Sequence, residues 1–365
     1  MKVAVLGGGN GGHAMAADLS MKGHEVRFFE LPEFEENIEV AKLRGGIEVL
    51  GILAQPQEKI FVNISKITSN IEEAIRGAKL IMVTVPAFAH ETFIKRFANF
   101  LENGQVIVFN AGRLATLTCI KILKDMHIKK DVLIGETATL NFVCRLKGPS
   151  RVNVISLKKK VRFSACPSNK NKEALTILNE LYPEFYAGEH VFDLFTSAPK
   201  IHAIPALLSV SRIEQRGPYK WDYFDTTPSV GKLMDKQDEE TVKVCKKLGL
   251  ANPMPCKDML AEAYGVKGKN MYETVRQCDS YKGRMSPDSL KHRFITEDVP
   301  YGFVPIASLG EKVGVATPVT STMINLASYI NDEDYWKLGR TTEKMGIADL
   351  SVKQIINFVK KGCID

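Results

Sequence analysis

The sequence predicts an α/β protein in two parts, a doubly wound parallel sheet followed by an all-α-helical second domain. In the first half, short and continuously apolar runs alternate with helical patterns, as buried parallel strands and their crossover helices require. Beyond Gly188 the apolar residues recur with the helical period, and strand-like runs almost disappear. We therefore predict one domain over residues 1–187 and a second over 188–365.

The chain opens with a strand, a glycine-rich turn and a helix. The strand is Lys2–Leu6, the helical pattern covers His13–Lys22, and a second strand over Glu25–Glu30 completes a unit of about thirty residues, one βαβ crossover. Further strands are predicted at Leu80–Val85, Gln105–Asn110, Asp131–Gly135, Arg151–Ser156 and Val161–Ala165. Helices are predicted beside them at Ile71–Ala78, His90–Phe100, Leu114–Met126 and Lys170–Leu181.

The second domain shows helical periodicity throughout. Its helices are predicted at Phe192–Gln215, Glu239–Leu248, Cys256–Ala263, Tyr272–Gln277, Ile306–Lys312, Pro318–Ile330 and Val352–Lys361. A homodimer is compatible with a helical second domain, although no surface patch in the sequence identifies it.

Composition excludes several classes of protein. The longest apolar stretches end near ten residues, whereas a membrane-spanning helix needs about 20. The first residues lack the pattern of a secretory signal, so a cytoplasmic location is expected. The seven cysteines are scattered and never spaced CxxC, which argues against a disulfide framework and a zinc site. No metal is expected, since no histidines or carboxylates show ligand spacing.

The formal net charge of +7 does not indicate nucleic-acid binding. The basic residues are spread along the chain, and the densest run, Lys158 to Lys160, falls in a predicted hairpin beside a strand. Attraction of anionic small molecules, or a solvated basic surface, explains the charge equally well.

The glycine-rich turn is the first candidate site. Gly7, Gly9 and Gly12 fit GxGxxG between a strand and a helix, the context in which this pattern is typical of a Rossmann dinucleotide-binding domain. The helix that starts there offers N–H groups and a positive dipole end to phosphates. Asn10 and Gly11 complete the predicted cofactor-binding turn.

The second predicted strand ends at Glu30, eighteen residues after Gly12. A carboxylate at this position accepts hydrogen bonds from the adenosine ribose hydroxyls and repels a 2′-phosphate, which favours NAD over NADP. An ordinary strand-end carboxylate is the alternative, and Arg27 keeps NADP open. Pro86, which follows another predicted strand, falls at the same edge and is a further cofactor-binding candidate.

A hydride transfer also needs a proton donor, and histidine suits this role because its pKa lies near neutral pH. Of the seven histidines, His202 stands out, because it lies in an apolar helical stretch, Ile201–Val210, early in the second domain. The alternative is an uncharged core histidine.

Six motifs together resemble a known family. They are VAVLGGGNGGHAMAADL near the start, GETATLNFVCR at 135–145, HAIPALLS at 202–209, TTPSVG at 226–231, TEDVPYGFVP at 296–305 and GRTTEKMGI from 339. They resemble the opine dehydrogenases of the octopine and nopaline type, especially the bacterial enzyme acting on pyruvate and norvaline. The resemblance covers almost the whole chain.

This resemblance implies an NAD(P)-dependent dehydrogenase acting on CH–NH donors. It implies that an α-keto acid and an L-amino acid condense to an imine, which the enzyme reduces. It further implies that His202 is the general acid/base, that Asp298 orients it, and that Arg293 binds the keto-acid carboxylate. Glu297 is adjacent to Asp298, and the sequence leaves open which of the two partners His202.

Two departures affect the expected substrate. Members of the family have an asparagine shortly before the histidine and a proline directly after it, whereas this chain reads APKIHAIP over 198–205. Lys200 could meet an acidic group or face solvent. A ketone or 2-keto acid reductase of the ketopantoate or glycerol-3-phosphate type, with a catalytic lysine, is the second interpretation, and a non-catalytic NAD-sensing protein is the third.

Overall fold

The computed structural model describes residues 1–195 and 198–363, and the chain divides into two compact units, Met1–Leu194 and Phe195–Asp365. We predicted that the second domain begins at Gly188, whereas the second unit begins seven residues later, at Phe195. A short strand at Phe185–Ala187 pairs with the main sheet of the first unit. A 3-10 turn at Val191–Leu194 then packs against the same sheet, which is why these residues belong to the first unit.

The first unit contains twelve strands and six α-helices in the described residues. The strands are β1 (Lys2–Leu6), β2 (Glu25–Phe29), β3 (Gly46–Gly51), β4 (Lys59–Asn63), β5 (Lys66–Thr68), β6 (Leu80–Val83), β7 (Val106–Asn110), β8 (Leu133–Thr137), β9 (Phe142–Leu146), β10 (Arg151–Leu157), β11 (Val161–Ala165) and β12 (Phe185–Ala187). The helices are α1 (Asn10–Met21), α2 (Glu36–Arg44), α3 (Ile71–Ile75), α4 (His90–Phe97), α5 (Ala115–Asp125) and α6 (Asn171–Leu178).

Eight of these strands form the main sheet in the order β12-β11-β8-β7-β6-β1-β2-β5. The six strands from β5 to β8 are parallel and follow the 3-2-1-4-5-6 order of a Rossmann sheet. The predicted parallel α/β core is therefore confirmed. Two strands depart from it: β11 pairs antiparallel with β8, and β12 pairs parallel with β11, so both run opposite to the other six.

A second sheet, β4-β3-β10-β9, was not predicted. Its strands alternate polar and apolar residues, because one face packs on α1 and the apolar core while the other is partly exposed. We relied mainly on continuous apolar runs and so missed β3, β4 and β9. The predicted strand Arg151–Ser156 exists as β10, but it belongs to this second sheet.

The second unit is almost entirely helical, as predicted. Its helices are α7 (Ala198–Leu208), α8 (Val210–Arg216), α9 (Pro228–Lys247), α10 (Cys256–Tyr264), α11 (Met271–Gln277), α12 (Arg293–Thr296), α13 (Val304–Lys312), α14 (Pro318–Asn331), α15 (Tyr335–Leu338) and α16 (Val352–Lys361). A π-helical turn covers Val299–Phe303, and two short strands, β13 (Lys220–Trp221) and β14 (Arg284–Met285), form a ribbon.

Two helix predictions need correction. The segment Phe192–Gln215 is not one helix, because α7 ends at Leu208 and α8 starts after Ser209. Residues 196 and 197 of the predicted helix lie outside the described residues. Helix α9 begins eleven residues earlier than predicted, at Pro228, where the Thr227 side chain accepts from the N–H of Val230 and so caps the helix. Within residues 1–195 and 198–363, no helix has the length and apolar content to cross a bilayer.

Candidate active site

The register of the main sheet brings the predicted cofactor residues to one edge. Leu6, the last residue of β1, pairs with Phe29 of β2 and with Val83 of β6. The residues that follow these strands, Gly7 and Glu30 among them, therefore meet at the carboxyl edge of the sheet. In open α/β sheets ligands bind at this edge, where the strand order reverses.

The glycines of the turn meet specific steric demands. Gly7 has a φ of 111°, a conformation that favours glycine. A Cβ on Gly12 would lie 1.7 Å from the carbonyl oxygen of Gly7, so only glycine allows α1 to pack this closely on the turn. At Gly9 the space is open, since no atom of the described residues lies within 4 Å of a Cβ placed there. These three environments fit the three glycine roles of a dinucleotide turn.

The N-terminus of α1 is suited to an anion. Gly9 precedes the helix without a side-chain cap, and no acidic residue lies in the first turn. The first N–H groups of the helix therefore have no capping carboxylate and remain suited to phosphate oxygens. Asn10 instead orients the neighbouring strand, since its Oδ1 accepts from the N–H of Leu146 at 2.7 Å. A Cβ on Gly11 would lie 2.9 Å from the Leu140 side chain, so Gly11 allows this segment to pack on the helix.

Glu30 is buried beside the glycine turn. One oxygen, Oε2, accepts from the N–H of Gly8 at 2.8 Å, and Oε1 accepts from the N–H of Leu31 at 2.8 Å. Burial raises the pKa of this carboxyl, while the two backbone N–H groups act in the opposite direction. The alternative 2′-phosphate partner, Arg27, donates instead to the carbonyls of Glu73 and Arg76 at 2.8 and 2.6 Å.

Pro86 lies three residues beyond the end of β6 and is partly buried. Its carbonyl accepts from the N–H of Ala89 at 2.9 Å and starts the short turn that leads into α4. Pro86 therefore shapes the edge of the sheet beside the glycine turn, and its ring offers no polar group to a ligand.

In the second unit, His202 is paired with Asp298. Its Nδ1 lies 2.9 Å from Oδ2 of Asp298, a carboxylate that is almost completely buried. The His202 side chain keeps 24% of its surface exposed, so one side of the ring reaches solvent. A carboxylate on Nδ1 fixes this nitrogen as the proton-bearing one and leaves Nε2 as the nitrogen that can exchange a proton.

The backbone around Asp298 brings it close to α7. Asp298 precedes the π-helical turn, and such turns occur often at functional sites. Gly302 in that turn packs directly on α7, where its missing Cβ would lie 2.2 Å from Cγ of Pro199. Pro199 is three residues before His202, so this close contact sets the distance between the histidine and its carboxylate.

The structure also separates the two adjacent carboxylates. Glu297 lies 3.0 Å from Nη2 of Arg293, one helical turn away, whereas Asp298 contacts His202. Neighbouring residues of a helix project about 100° apart, which explains why only one of them faces the histidine. Arg293 keeps 57% of its side chain exposed, so its guanidinium remains accessible beside the ion pair.

Sequence reasoning missed the aromatic residues around His202. The Phe294 ring stacks on the imidazole, with centroids 4.1 Å apart and planes 19° from parallel, and Phe224 contacts it edge-on at 5.4 Å. Phe294 precedes Asp298 by four residues, a spacing that places both on one helix face. From that spacing the sequence could have indicated that Phe294 lies beside Asp298. The ring stack and the Asp298 hydrogen bond together hold the imidazole in one orientation.

The His292 ring also contacts the Phe294 ring, with centroids 4.5 Å apart. Its Nδ1 accepts from the N–H of Phe294 at 3.3 Å and caps α12. Burial lowers the pKa of His292, and the positive charge of Arg293 acts in the same direction. We therefore describe His292 as the neutral cap of the helix that carries Phe294 and Arg293.

Phe224 is presented to His202 by a strained backbone. Tyr223, Phe224 and Asp225 all have positive φ, between 48° and 56°. Asp225 is held by Nη1 of Arg212 at 2.5 Å and by the Tyr219 hydroxyl at 2.7 Å. Strained conformations of this kind persist only where surrounding contacts fix them, and they cluster at active sites.

Lys200 is not available to a substrate. It is 1% exposed, and its Nζ forms an ion pair with Oδ1 of Asp238 at 3.2 Å. The other oxygen of Asp238 accepts from the N–H of Cys256 at 2.8 Å. The lysine therefore has a structural role, which removes the catalytic residue that the second interpretation required. In the described ranges, no group of histidine, cysteine and carboxylate side chains is arranged to hold a metal ion.

Comparison with known proteins gives consistent results for both units. Residues 190–331 match the family described as "NAD/NADP octopine/nopaline dehydrogenase, alpha-helical domain", and residues 2–153 match "NAD-dependent glycerol-3-phosphate dehydrogenase N-terminus". The opine dehydrogenase of Arthrobacter sp. (strain 1C) is 34% identical over 362 residues, covering 98% of each chain.

Two solved structures show the same fold. Octopine dehydrogenase in complex with NADH and L-arginine superposes with a TM-score of 0.79 at 22% identity, covering 99% of this chain and 98% of that one. Yersinopine dehydrogenase with bound NADP+ superposes with a TM-score of 0.72 at 13% identity, covering 99% of this chain and 97% of that one.

Proposed function

Because the chain belongs to the opine dehydrogenase family, we propose that His202 and Asp298 are the acid/base pair of a reductive condensation. The protein is an NAD(P)-dependent dehydrogenase acting on the CH–NH group of donors. In the proposed reaction, a pyruvate-like α-keto acid and the amine of an L-amino acid lose water to form a C=N bond. Addition of a hydride and a proton to that bond gives a secondary-amine dicarboxylic acid, and the reverse oxidation follows the same path.

The glycine turn and Glu30 support NADH as the hydride source. The open space at Gly9 and the N–H groups of α1 suit the diphosphate. The buried carboxylate of Glu30 suits the ribose hydroxyls and opposes a 2′-phosphate. Since Arg27 is bound to backbone carbonyls of another segment, we assign NAD over NADP. When bound, the cofactor supplies the hydride.

His202 handles the proton. With Nδ1 bonded to Asp298, Nε2 is the nitrogen that remains for the substrate, so it gives the proton that accompanies the hydride and takes it back in the oxidation. The negative charge of Asp298 stabilises the ring while it carries both protons. This pair, at 2.9 Å, is the observation that carries the proposal.

Arg293 is proposed to bind the keto-acid carboxylate. Its guanidinium lies on the same short helix as Phe294, and a planar guanidinium can bind a carboxylate through two hydrogen bonds. The ion pair with Glu297 limits the rotamers of this exposed side chain and so holds it ready for an anionic substrate.

The test is NADH oxidation followed by absorbance, with pyruvate fixed and L-amino acids added one at a time, then repeated with NADPH. We expect oxidation to require the amine. Oxidation with the keto acid alone would support a simple ketone reductase instead. His202→Ala should lower kcat with little change in the Kd of NADH, and an equal loss of both would exclude the proposed role of the histidine.

A further inference from the structure

Lys158 differs from the other lysines of its run. Its backbone N–H donates to the carbonyl of Asn141 at 2.9 Å, and its Nζ donates to Oγ1 of Thr139. Lys158 is half-buried, whereas its neighbours Lys159 and Lys160 are exposed. The charged end of Lys158 is therefore directed towards the segment that follows β8.

That segment lies at the cofactor edge of the sheet. Thr139 is two residues beyond the end of β8, and its carbonyl accepts from the hydroxyl of Thr137 at 2.9 Å. The same hydroxyl accepts from the N–H of Ala111, the residue that follows β7, at 3.1 Å. The Nζ of Lys158 is thus connected through two threonines to the carboxyl ends of β7 and β8.

The strand order indicates which part of the cofactor would lie there. With the diphosphate at the turn after β1, the second half of a Rossmann sheet, here β6 to β8, takes the nicotinamide half of a dinucleotide. The reacting carbon of the substrate must lie within about 3–3.5 Å of the hydride donor. A cation beyond β7 and β8 is therefore placed to meet the substrate.

The surroundings of Lys158 contain no balancing negative charge. Among the residues that the structure describes, no carboxylate lies within 4.0 Å of its Nζ, and its hydrogen-bond partner is a neutral hydroxyl. Lys200, by contrast, is fully buried, and Oδ1 of Asp238 lies 3.2 Å from its Nζ. Burial lowers the pKa of Lys158 to about 8, so the group is still mostly protonated at neutral pH. A half-buried ammonium group with no carboxylate partner has a positive charge that is available to an anion from outside the chain.

We propose that Lys158 binds a carboxylate of the substrates. This inference rests on the proposed function, because the condensation brings two acids, each with a carboxylate, to the nicotinamide half of the cofactor. An ammonium group is a compact point charge with three donors, so it can keep its bond to Thr139 while it donates a second hydrogen bond to a carboxylate oxygen.

The diphosphate of the cofactor is the other anion that Lys158 could bind. Thr139, the partner of Lys158, is followed by Leu140, and the Leu140 side chain lies against Gly11 in the glycine turn. The N–H groups of the turn and of α1 already serve that anion, whereas a substrate carboxylate needs a side-chain cation. The two ligands can be distinguished, since one would change the binding of NADH and the other the binding of the acids.

The experiment compares Lys158→Met with Lys158→Arg and with Lys160→Met, a control that removes the same charge from an exposed position two residues away. The Kd of NADH is measured by nicotinamide fluorescence. KM and kcat for pyruvate and for the amino acid are measured at saturating NADH, and pyruvate binding to the enzyme–NADH complex is titrated directly.

We expect Lys158→Met to raise KM for one of the two acids about tenfold or more, with the Kd of NADH within twofold of the wild type. Lys158→Arg should recover most of the loss, and Lys160→Met should behave as the wild type. A raised Kd for NADH with unchanged KM values would assign Lys158 to the diphosphate and overturn the inference, as would no change at all. The proposed function fails separately, on the wild type, if NADH oxidation does not require an amine.

Discussion

Gly302→Ala tests whether the contact between the π-helical turn and α7 sets the geometry of His202 and Asp298, the proposed acid/base pair. The added Cβ would lie 2.2 Å from Cγ and 2.8 Å from Cβ of Pro199, whereas ordinary contacts begin at 3.4 Å. The two segments must therefore separate by about 1 Å. Overpacking of this kind costs about 1–3 kcal/mol of stability, which lowers Tm by several degrees in a unit of this size.

We expect the variant to lose more activity than a loss of folded protein would explain. Pro199 lies three residues before His202, and Gly302 four residues after Asp298, so the separation acts directly on the 2.9 Å hydrogen bond. A displacement of about 1 Å in a catalytic group can reduce the rate about 10²-fold. We expect a loss of kcat of this order, while the Kd of NADH stays unchanged because the glycine turn belongs to the other unit.

The assays are thermal unfolding, NADH fluorescence and amine-dependent NADH oxidation. Pro199→Ala removes the ring carbon that meets the new methyl group, so the double variant with Gly302→Ala should regain part of the lost kcat and Tm. A Gly302→Ala enzyme with the Tm and kcat of the wild type would refute the reasoning, and so would a double variant whose losses are the sum of the single ones.

Two further predictions concern charges in the two units. Asp298→Asn should lower kcat about 10- to 100-fold, since a hydrogen bond to a charged group contributes about 1.5–3 kcal/mol. Glu297→Gln should instead change mainly KM for the keto acid, because Glu297 acts on the substrate only through Arg293. The reverse ranking in kcat would show that the carboxylates have been assigned the wrong way round. Because burial raises the pKa of Glu30, this group gains a proton earlier than an ordinary carboxyl as the pH falls, and NADH affinity should weaken on the acid side. Glu30→Gln should remove that pH dependence and reduce the preference for NADH over NADPH, as measured by fluorescence titration of both cofactors at several pH values.

The elements predicted best are those whose signal is local. Strands buried on both faces leave a continuous apolar run, and for this reason Lys2–Leu6 has the observed bounds. The strand Val161–Ala165 also has its predicted bounds, although Arg162 and Ser164 interrupt its apolar residues. Helix α16 has its predicted bounds, Val352–Lys361, because its caps are local, a Ser351 capping box and Gly362. The second sheet escaped prediction because its strands are covered on one face only, and that covering comes from α1, distant in sequence.

For the candidate site, the sequence supplied the residue types and their motifs. It could place Phe294 and Asp298 on one face through their four-residue spacing, but it could not choose between Asp298 and Glu297. The directions of these two side chains depend on the π-helical turn that follows them, and no local pattern predicted that turn. Lys158 shows the same limit, because in the sequence it is one of three equivalent lysines.

The sequence by itself determined the family, the Rossmann order of the first half, the helical second half and the glycine turn, because each depends on residues close together in the chain or on motifs that cover all of it. The tertiary structure decided the pairing of His202 with Asp298, the burial of Lys200 against Asp238 and the inward direction of Lys158. Those contacts join residues between 19 and 96 positions apart. Their geometry follows from how helices and strands pack, which is fixed by the excluded volume of side chains throughout each unit rather than by neighbours in the sequence.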